Sequence, residues 1–174
     1  MSEETIERVV VFTGKVITVR QDTITSPDGK IKTREVVEYP GAVAMVAVDN
    51  NGDFLLVRQY RHAPALELLE IPAGGIDAGE TPEDAVRREM QEETGYFPGH
   101  IEHLTSLYSA PGYSTELLHI YLTTELKPAR LVAEDTYEIT LLRASKSDIL
   151  KMINDRTICD GKSVAALLFY INMR

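Results

Sequence analysis

Cysteine is nearly absent from these 174 residues: Cys159 stands alone. One thiol closes no intrachain disulfide and builds no cysteine-rich zinc site. Basic residues are also short, with 18 Lys and Arg against 27 Asp and Glu, a formal net charge of −9. That balance speaks against a nucleic-acid backbone as partner, which calls for a basic stripe, and against an anionic membrane surface. Long apolar runs are missing too. The first one, Val9 to Phe12, follows a polar, acidic N-terminus and is far shorter than a signal h-region or a membrane span. No repeat or low-complexity stretch occurs. These absences predict a soluble, cytoplasmic protein. What is present is ordinary globular composition, 44% hydrophobic and 26% charged, in a length that fits one domain with a sizeable core. An acidic small molecule remains an acceptable partner if something cationic bridges the two.

The chain alternates strand and turn signals before its helices. Two β-branched runs, Glu7 to Thr25 and Ile31 to Tyr39, flank Ser26-Pro27-Asp28-Gly29 and read as a hairpin. Ala42 to Val48 and Asp53 to Arg58 flank Asn50-Asn51-Gly52 and read as a second. Leu66 to Ile71 is a short strand. Thr81 is a helix cap, Pro82 suits the first helical position, and acids follow in the first turn. The helix is expected to run to Thr94 and to stop at Gly95, a residue suited to a left-handed cap. Strands are predicted at Ile101 to Tyr108, Leu117 to Thr123 and Tyr137 to Leu142, and helices at Lys146 to Asp155 and Lys162 to Asn172. A division near Gly41 is expected, with a β extension over 1–40 and an α/β body over 41–174.

The most informative segment is Gly74 to Tyr96. It holds seven acids and two arginines in 23 positions, a net −5. At about 100° per residue, Glu89, Glu92 and Glu93 share one helix face. Like charges at i,i+4, such as Glu89 and Glu93, cost roughly 0.2–0.5 kcal/mol in a helix. The cluster is either a solvated acidic face or a carboxylate set for a hard divalent ion, and all-oxygen donors suit Mg²⁺ or Mn²⁺ rather than zinc.

A family resemblance favours the second. Gly74, five residues, Glu80, seven residues, then Arg88-Glu89-Met90-Gln91-Glu92-Glu93-Thr94-Gly95-Tyr96 resembles the Nudix box, G-x5-E-x7-R-E-U-x-E-E-x-G-U, where U is a bulky aliphatic residue. Every fixed position matches. Met90 is unbranched and Tyr96 aromatic, and neither change removes a ligand. Further stretches resemble the ADP-ribose pyrophosphatase branch of that family: Arg34-Glu35-Val36-Val37-Glu38-Tyr39-Pro40-Gly41, Leu56-Val57-Arg58-Gln59-Tyr60-Arg61, Leu69-Glu70-Ile71-Pro72-Ala73-Gly74, and Ser109-Ala110-Pro111-Gly112, with Pro111 15 residues after Tyr96.

The resemblance implies an α/β Nudix fold: a mixed β-sheet between helices (α/β/α), with an N-terminal antiparallel β extension. It implies hydrolysis of ADP-ribose to AMP and ribose 5-phosphate by a water activated by two or three Mg²⁺ ions, with Mn²⁺ as the other candidate. Carried over by position, Glu89 and Glu93 are the principal metal ligands, Glu92 assists, and Ala73 offers its backbone carbonyl. Arg88 orients a glutamate, Glu80 reaches back across the loop, and Gly74, Gly95 and Pro111 shape the motif. Arg34, Arg58, Arg61, Glu70, Gly112 and Glu116 form the substrate-binding set. The general base is an acid of the late loop. Glu134 leads, Asp135 takes the position in an ungapped comparison, and Glu138 is the third candidate. Branch members form homodimers with exchanged N-terminal strands, and Phe12 and Tyr39 are among the aromatics available to stack on a base.

Two other functions fit the same motif. Other nucleoside diphosphate sugars, GDP-sugars among them, are alternative substrates, because the box specifies the diphosphate and not its ends. A non-catalytic nucleotide-sensing Nudix module would be expected to lose box carboxylates or carry a DNA-binding extension. Glu89, Glu92 and Glu93 are all present, and no such extension is expected after the last helix. The four histidines, His62, His100, His103 and His119, show no joint metal spacing and read as structural or surface residues.

Overall fold

Residues 3–132 and 138–173 are described by a computed structural model of the chain. They form two compact units, Met1–Gly41 with Tyr108–Leu118, and Ala42–Leu107 with His119–Arg174.

The first unit is a three-stranded antiparallel sheet: β1 (Glu4–Thr13), β2 (Thr18–Thr25) and β3 (Ile31–Glu38), in that order. The run Glu7 to Thr25, read from the sequence as one arm of a hairpin, is two strands. Gly14 breaks it, donating its N–H to the Ile17 carbonyl at 2.9 Å, so a second hairpin precedes the expected one. The expected turn is in place: Gly29 adopts φ 79° and donates to the Ser26 carbonyl at 2.8 Å. β2 is the central strand and buries Asp22 and Ile24, whereas every residue of β1 is exposed. The free edge of β3 is covered by residues 113–115. Val37 N–H donates to the Tyr113 carbonyl at 2.7 Å, and Thr115 N–H donates to the Val37 carbonyl at 3.0 Å.

The second unit is built on a mixed seven-stranded sheet. Its strands are β4 (Ala42–Val48), β5 (Phe54–Arg61), β6 (Leu66–Glu70), β7 (Ala73–Gly75), β8 (Tyr96–Tyr108), β9 (Leu117–Pro128) and β10 (Thr140–Ala144). The main path runs β10-β5-β4-β9-β8, with β6 added to β5 and β7 to β4. β4 is buried over Ala42–Ala47, as a near-continuous apolar run in a sheet covered on both faces must be. Alternation sends Val43, Met45 and Ala47 to one face. There they pack with Leu55, Tyr121 and Leu126 against Ala85, Val86 and Met90 of helix α1 (Pro82–Glu89). Helix α3 (Gly161–Met173) packs on β4 from the other face, with α2 (Lys146–Asn154) beside it. The α/β/α arrangement follows from these contacts.

Helix α1 starts as its cap predicts: Thr81 Oγ1 accepts the Asp84 N–H at 3.2 Å. Its far end differs from the expected α-helix. Met90–Thr94 is a π-helical turn, closed by Gly95 at φ 79°. The Thr94 hydroxyl takes the Met90 carbonyl, and Gly95 N–H reaches back to both Met90 and Gln91. Single π turns of this kind recur at functional sites. The two departures from the box pattern are accommodated by packing. Met90 is fully buried. The half-buried Tyr96 packs on the same cluster and carries the Arg143 guanidinium over its ring, 5.5 Å from the centroid.

Candidate active site

β7, the loop after it and α1 meet at one guanidinium. Arg88 donates to Glu80 through Nε at 2.9 Å and Nη2 at 2.8 Å. Nη2 also reaches the Gly75 carbonyl at 2.9 Å, and Nη1 lies 2.6 Å from Glu89 and 3.4 Å from Glu92. The forked bond to Arg88 holds the Glu80 carboxyl below its ordinary pKa. Glu80 also accepts the Asp77 N–H at 3.0 Å, which ties down the loop between strand and helix.

The three helix carboxylates have different surroundings. Glu89 is 9% exposed, and burial raises its pKa against the opposing pull of Arg88. Glu93, also 9% exposed, is pushed by burial up to about 7. It accepts the Ala73 N–H at 2.9 Å, and Arg61 is close enough to favour its charged form. The buried Gln59 amide likewise favours the charged form of Glu93, although its Nε2 closes no hydrogen bond. Glu92 is half-buried beside Arg88. Gly74 makes room for this arrangement, because a Cβ there would land on the Glu89 carboxylate.

Among the described residues no three acidic, histidine or cysteine side chains already converge as a cation cage. Glu89 is turned to Arg88 and Glu93 to the Ala73 N–H. The donor set nevertheless fits a hard divalent ion. It is all oxygen, it carries three carboxylates of which Glu89 and Glu92 share Arg88, and two of the carboxylates are raised in pKa by burial. Glu89, Glu92 and Glu93, with the Ala73 carbonyl, are the groups that could hold such an ion.

A second cluster lies beside the first. Arg61 on β5 forks onto Glu70 at the end of β6, Nε to Oε1 and Nη2 to Oε2, both at 2.8 Å. Glu70 is 1% exposed and is also paired with Lys162 of α3. Burial alone would raise its pKa, but Arg61 and Lys162 outweigh burial and hold it below its ordinary value. Both Glu70 oxygens, read from the sequence as substrate contacts, are thus taken up by protein cations in this structure. Arg58 is half-buried on β5.

The remaining sequence candidates lie each in its own unit. Arg34, Pro111 and Gly112 line a cavity of about 490 Å³ within the first unit, where Arg34 is paired with Glu3. Glu116, in the same unit, accepts from the Ser109 hydroxyl. Glu138 is exposed, two residues before β10. Glu134 and Asp135 lie outside the described residues. Sequence reasoning missed Lys162 and Asp160. The signal was modest: Asp160-Gly161-Lys162-Ser163 is a helix start, and Asp160 Oδ2 does accept the Ser163 N–H at 3.0 Å. Nothing local pairs Lys162 with an acid 92 positions away.

Comparison with known proteins gives the family. The NUDIX domain profile matches residues 38–144, and the profile of the nucleoside diphosphate sugar hydrolase N-terminal domain matches residues 3–37. The chain belongs to the Nudix family. Among its Nudix relatives is the ADP-ribose pyrophosphatase of Bacillus subtilis (strain 168), 35% identical over 172 residues, 97% of this chain and 92% of that one. Another is the GDP-mannose pyrophosphatase of Escherichia coli O1:K1 / APEC, 35% identical over 162 residues, 86% of this chain and 84% of that one. The Nudix fold itself is matched by the crystal structure of an ADP compounds hydrolase. It superposes with a TM-score of 0.89 over 99% of this chain and 94% of that one, at 21% identity.

Proposed function

We propose that this protein hydrolyses the diphosphate bond of ADP-ribose, giving AMP and ribose 5-phosphate, with Mg²⁺ as the divalent ion. One observation carries the reading: of three carboxylates at one helix end, Glu89 and Glu92 meet Arg88, while the nearly buried Glu93 lies within electrostatic reach of Arg61. A diphosphate is anionic and would be repelled by that face alone, so the site makes chemical sense as a holder of cations that then meet phosphate oxygens.

Glu89, Glu92, Glu93 and the Ala73 carbonyl would hold two or three Mg²⁺ ions, Mn²⁺ being the other candidate. Such ions neutralise diphosphate charge and lower the pKa of a water. Arg61 contributes a fixed guanidinium for a phosphate oxygen. Arg88 and Glu80 keep the loop and the carboxylates in register. The proton of the attacking water goes to a late-loop carboxylate, Glu134 first, with Asp135 and Glu138 as the other candidates. Arg34, Arg58, Gly112 and Glu116 remain candidates for contact with the ends of the substrate. The protein acts as a cytoplasmic homodimer. The fully exposed β1, with Ile6, Val9, Val10, Val11 and Phe12 each about half accessible, supports dimerisation through exchanged N-terminal strands.

The relation to a GDP-mannose pyrophosphatase keeps GDP-sugars as the second substrate reading. A panel of ADP-ribose, GDP-mannose and other sugar nucleotides, run with Mg²⁺ in ¹⁸O-labelled water and read by product mass, separates the two. AMP from ADP-ribose at micromolar enzyme is the expected result. Cleavage of GDP-mannose alone would shift the substrate and keep the reaction. Unchanged turnover in Glu93→Gln would overturn the catalytic reading of the helix, whereas lost turnover with retained ADP-ribose binding supports it.

A further inference from the structure

Glu70 is the least exposed acid among the described residues of the second unit, and its partners come from two separate elements. Arg61 reaches it from β5 through Nε and Nη2. Lys162 reaches Oε2 from the first turn of α3 and is itself held by Asp160 at 2.9 Å. The two elements are also clamped through backbone. The Ser163 hydroxyl accepts the Ile71 N–H at 2.9 Å and donates to Asp160 at 2.6 Å. The residue after Glu70 is therefore tied to the residue after Lys162. Two cations face two carboxylates, so the network is neutral only when complete.

Removing the ammonium would leave Glu70 and Asp160 with a single cation between them. A carboxylate 1% exposed does not tolerate that without moving or taking up a proton, and either response spoils the fork to Arg61. Arg61 depends on that fork. Its Nη1 has no hydrogen-bond partner among the described residues, its side chain is 39% exposed, and it lies within electrostatic reach of Glu93. The inner half of the guanidinium is spent on Glu70 and the outer half is left for a ligand.

We propose that Lys162 is a positioning residue of the site: it fixes the Glu70 carboxylate, and Glu70 in turn fixes the Arg61 guanidinium on which a substrate phosphate lands. This rests on the reading that Arg61 meets the diphosphate.

The test combines kinetics with a measurement that needs no substrate. Lys162→Met removes the charge and keeps the stem; Lys162→Gln keeps the volume and a donor, and replaces it if Lys162→Met does not fold. Either variant is expected to raise KM for ADP-ribose about tenfold, the size of one charge-assisted hydrogen bond, with kcat changed less than about threefold. Lys162→Arg should bring KM back toward wild type. The penalty should vanish in an Arg61→Ala background, because the two residues act in series. A wild-type KM in both charge-removing variants, or an undiminished penalty in the Arg61→Ala background, would overturn the proposal. The Arg61 Nε–H resonance in a ¹H–¹⁵N spectrum should be sharp and slow to exchange in the wild type and broadened in the variant. An unchanged resonance would also overturn it. If Arg61→Ala leaves ADP-ribose kinetics untouched, or the wild type does not turn ADP-ribose over, the functional reading fails by itself, and the resonance still reports whether Lys162 holds Arg61.

Discussion

Arg88 shows how much of a site one side chain can organise. Its guanidinium serves Glu80, Glu89, Glu92 and the Gly75 carbonyl at once. A lysine keeps the charge and loses the fork. Arg88→Lys should lower unfolding stability by about 2 kcal/mol in urea, because half-buried acids are left short of donors. Glu93 gives a prediction with a pH signature. Burial lifts it from its ordinary 4.5 to about 7, so the folded state favours the proton-bound form. That contribution to stability is complete below about pH 4.5 and is lost as pH rises through about 7. A divalent ion held by Glu93, as proposed, would replace the proton. Saturating Mg²⁺ should therefore raise Tm by roughly 3 °C or more near pH 8, and by much less near pH 5.5. Calorimetry at both pH values checks this. Glu93→Gln should abolish the difference, melt higher than wild type without Mg²⁺ near pH 8, and be inactive.

At the scale of elements, the helix carrying the box is α-helical where it packs and π-helical where it carries Glu92 and Glu93. The wider turn alters the angular spacing of the carboxylates, and a wheel drawn at 100° per residue misplaces them. The strand that faces this helix contributes through what it lacks. Gly74 has no Cβ, and Glu89 fills the space. Since Gly74 is not in a left-handed conformation, Gly74→Ala should strain no backbone. The flexible carboxylate should yield instead. The expected variant melts within about 3 °C of wild type and loses at least tenfold in kcat/KM. A variant that unfolded while Glu89→Gln stayed folded would show that backbone, not carboxylate, is what Gly74 accommodates. Met90, fully buried under Thr123 and the sheet, carries the packing load of the same helix. Met90→Ala should cost about 2–5 kcal/mol in denaturant unfolding.

For the whole molecule, the charge of −9 takes on a local meaning, since −5 of it lies in residues 74–96. A charge that excludes a nucleic-acid backbone can still serve a small diphosphate once cations sit between them. Molecular size should follow β1. Val10, 58% exposed on a strand whose every residue is exposed among the described residues, is the position where one charge would disrupt the proposed exchanged-strand interface most directly. On the proposed dimer, wild type should sediment as a dimer and Val10→Glu as a monomer, with its circular dichroism retained.

Much of the site was legible before any tertiary contact was known. Cap, box and glycine stop are local features, written at fixed spacings within 23 residues. The β-branched runs, the Pro-Asp-Gly turn and the second hairpin around Asn50-Asn51-Gly52 were legible for the same reason: strand periodicity and turn chemistry act between near neighbours. The sequence read alone also merged β1 and β2 into one run, since a single Gly14 was the whole sign of the break. It could not anticipate the π turn, because helix width is settled by side chains pulled to partners elsewhere, such as Glu93 to the Ala73 N–H. Nor could it join Lys162 to Glu70, 92 residues apart. By itself, then, the sequence determined the family, the acidic helix and its three carboxylates, because those depend on short-range periodicity. Only the tertiary structure decided which carboxylates are buried, which arginine each one meets, and that a lysine of the last helix stands behind Arg61, because burial and ion pairing arise where distant segments pack.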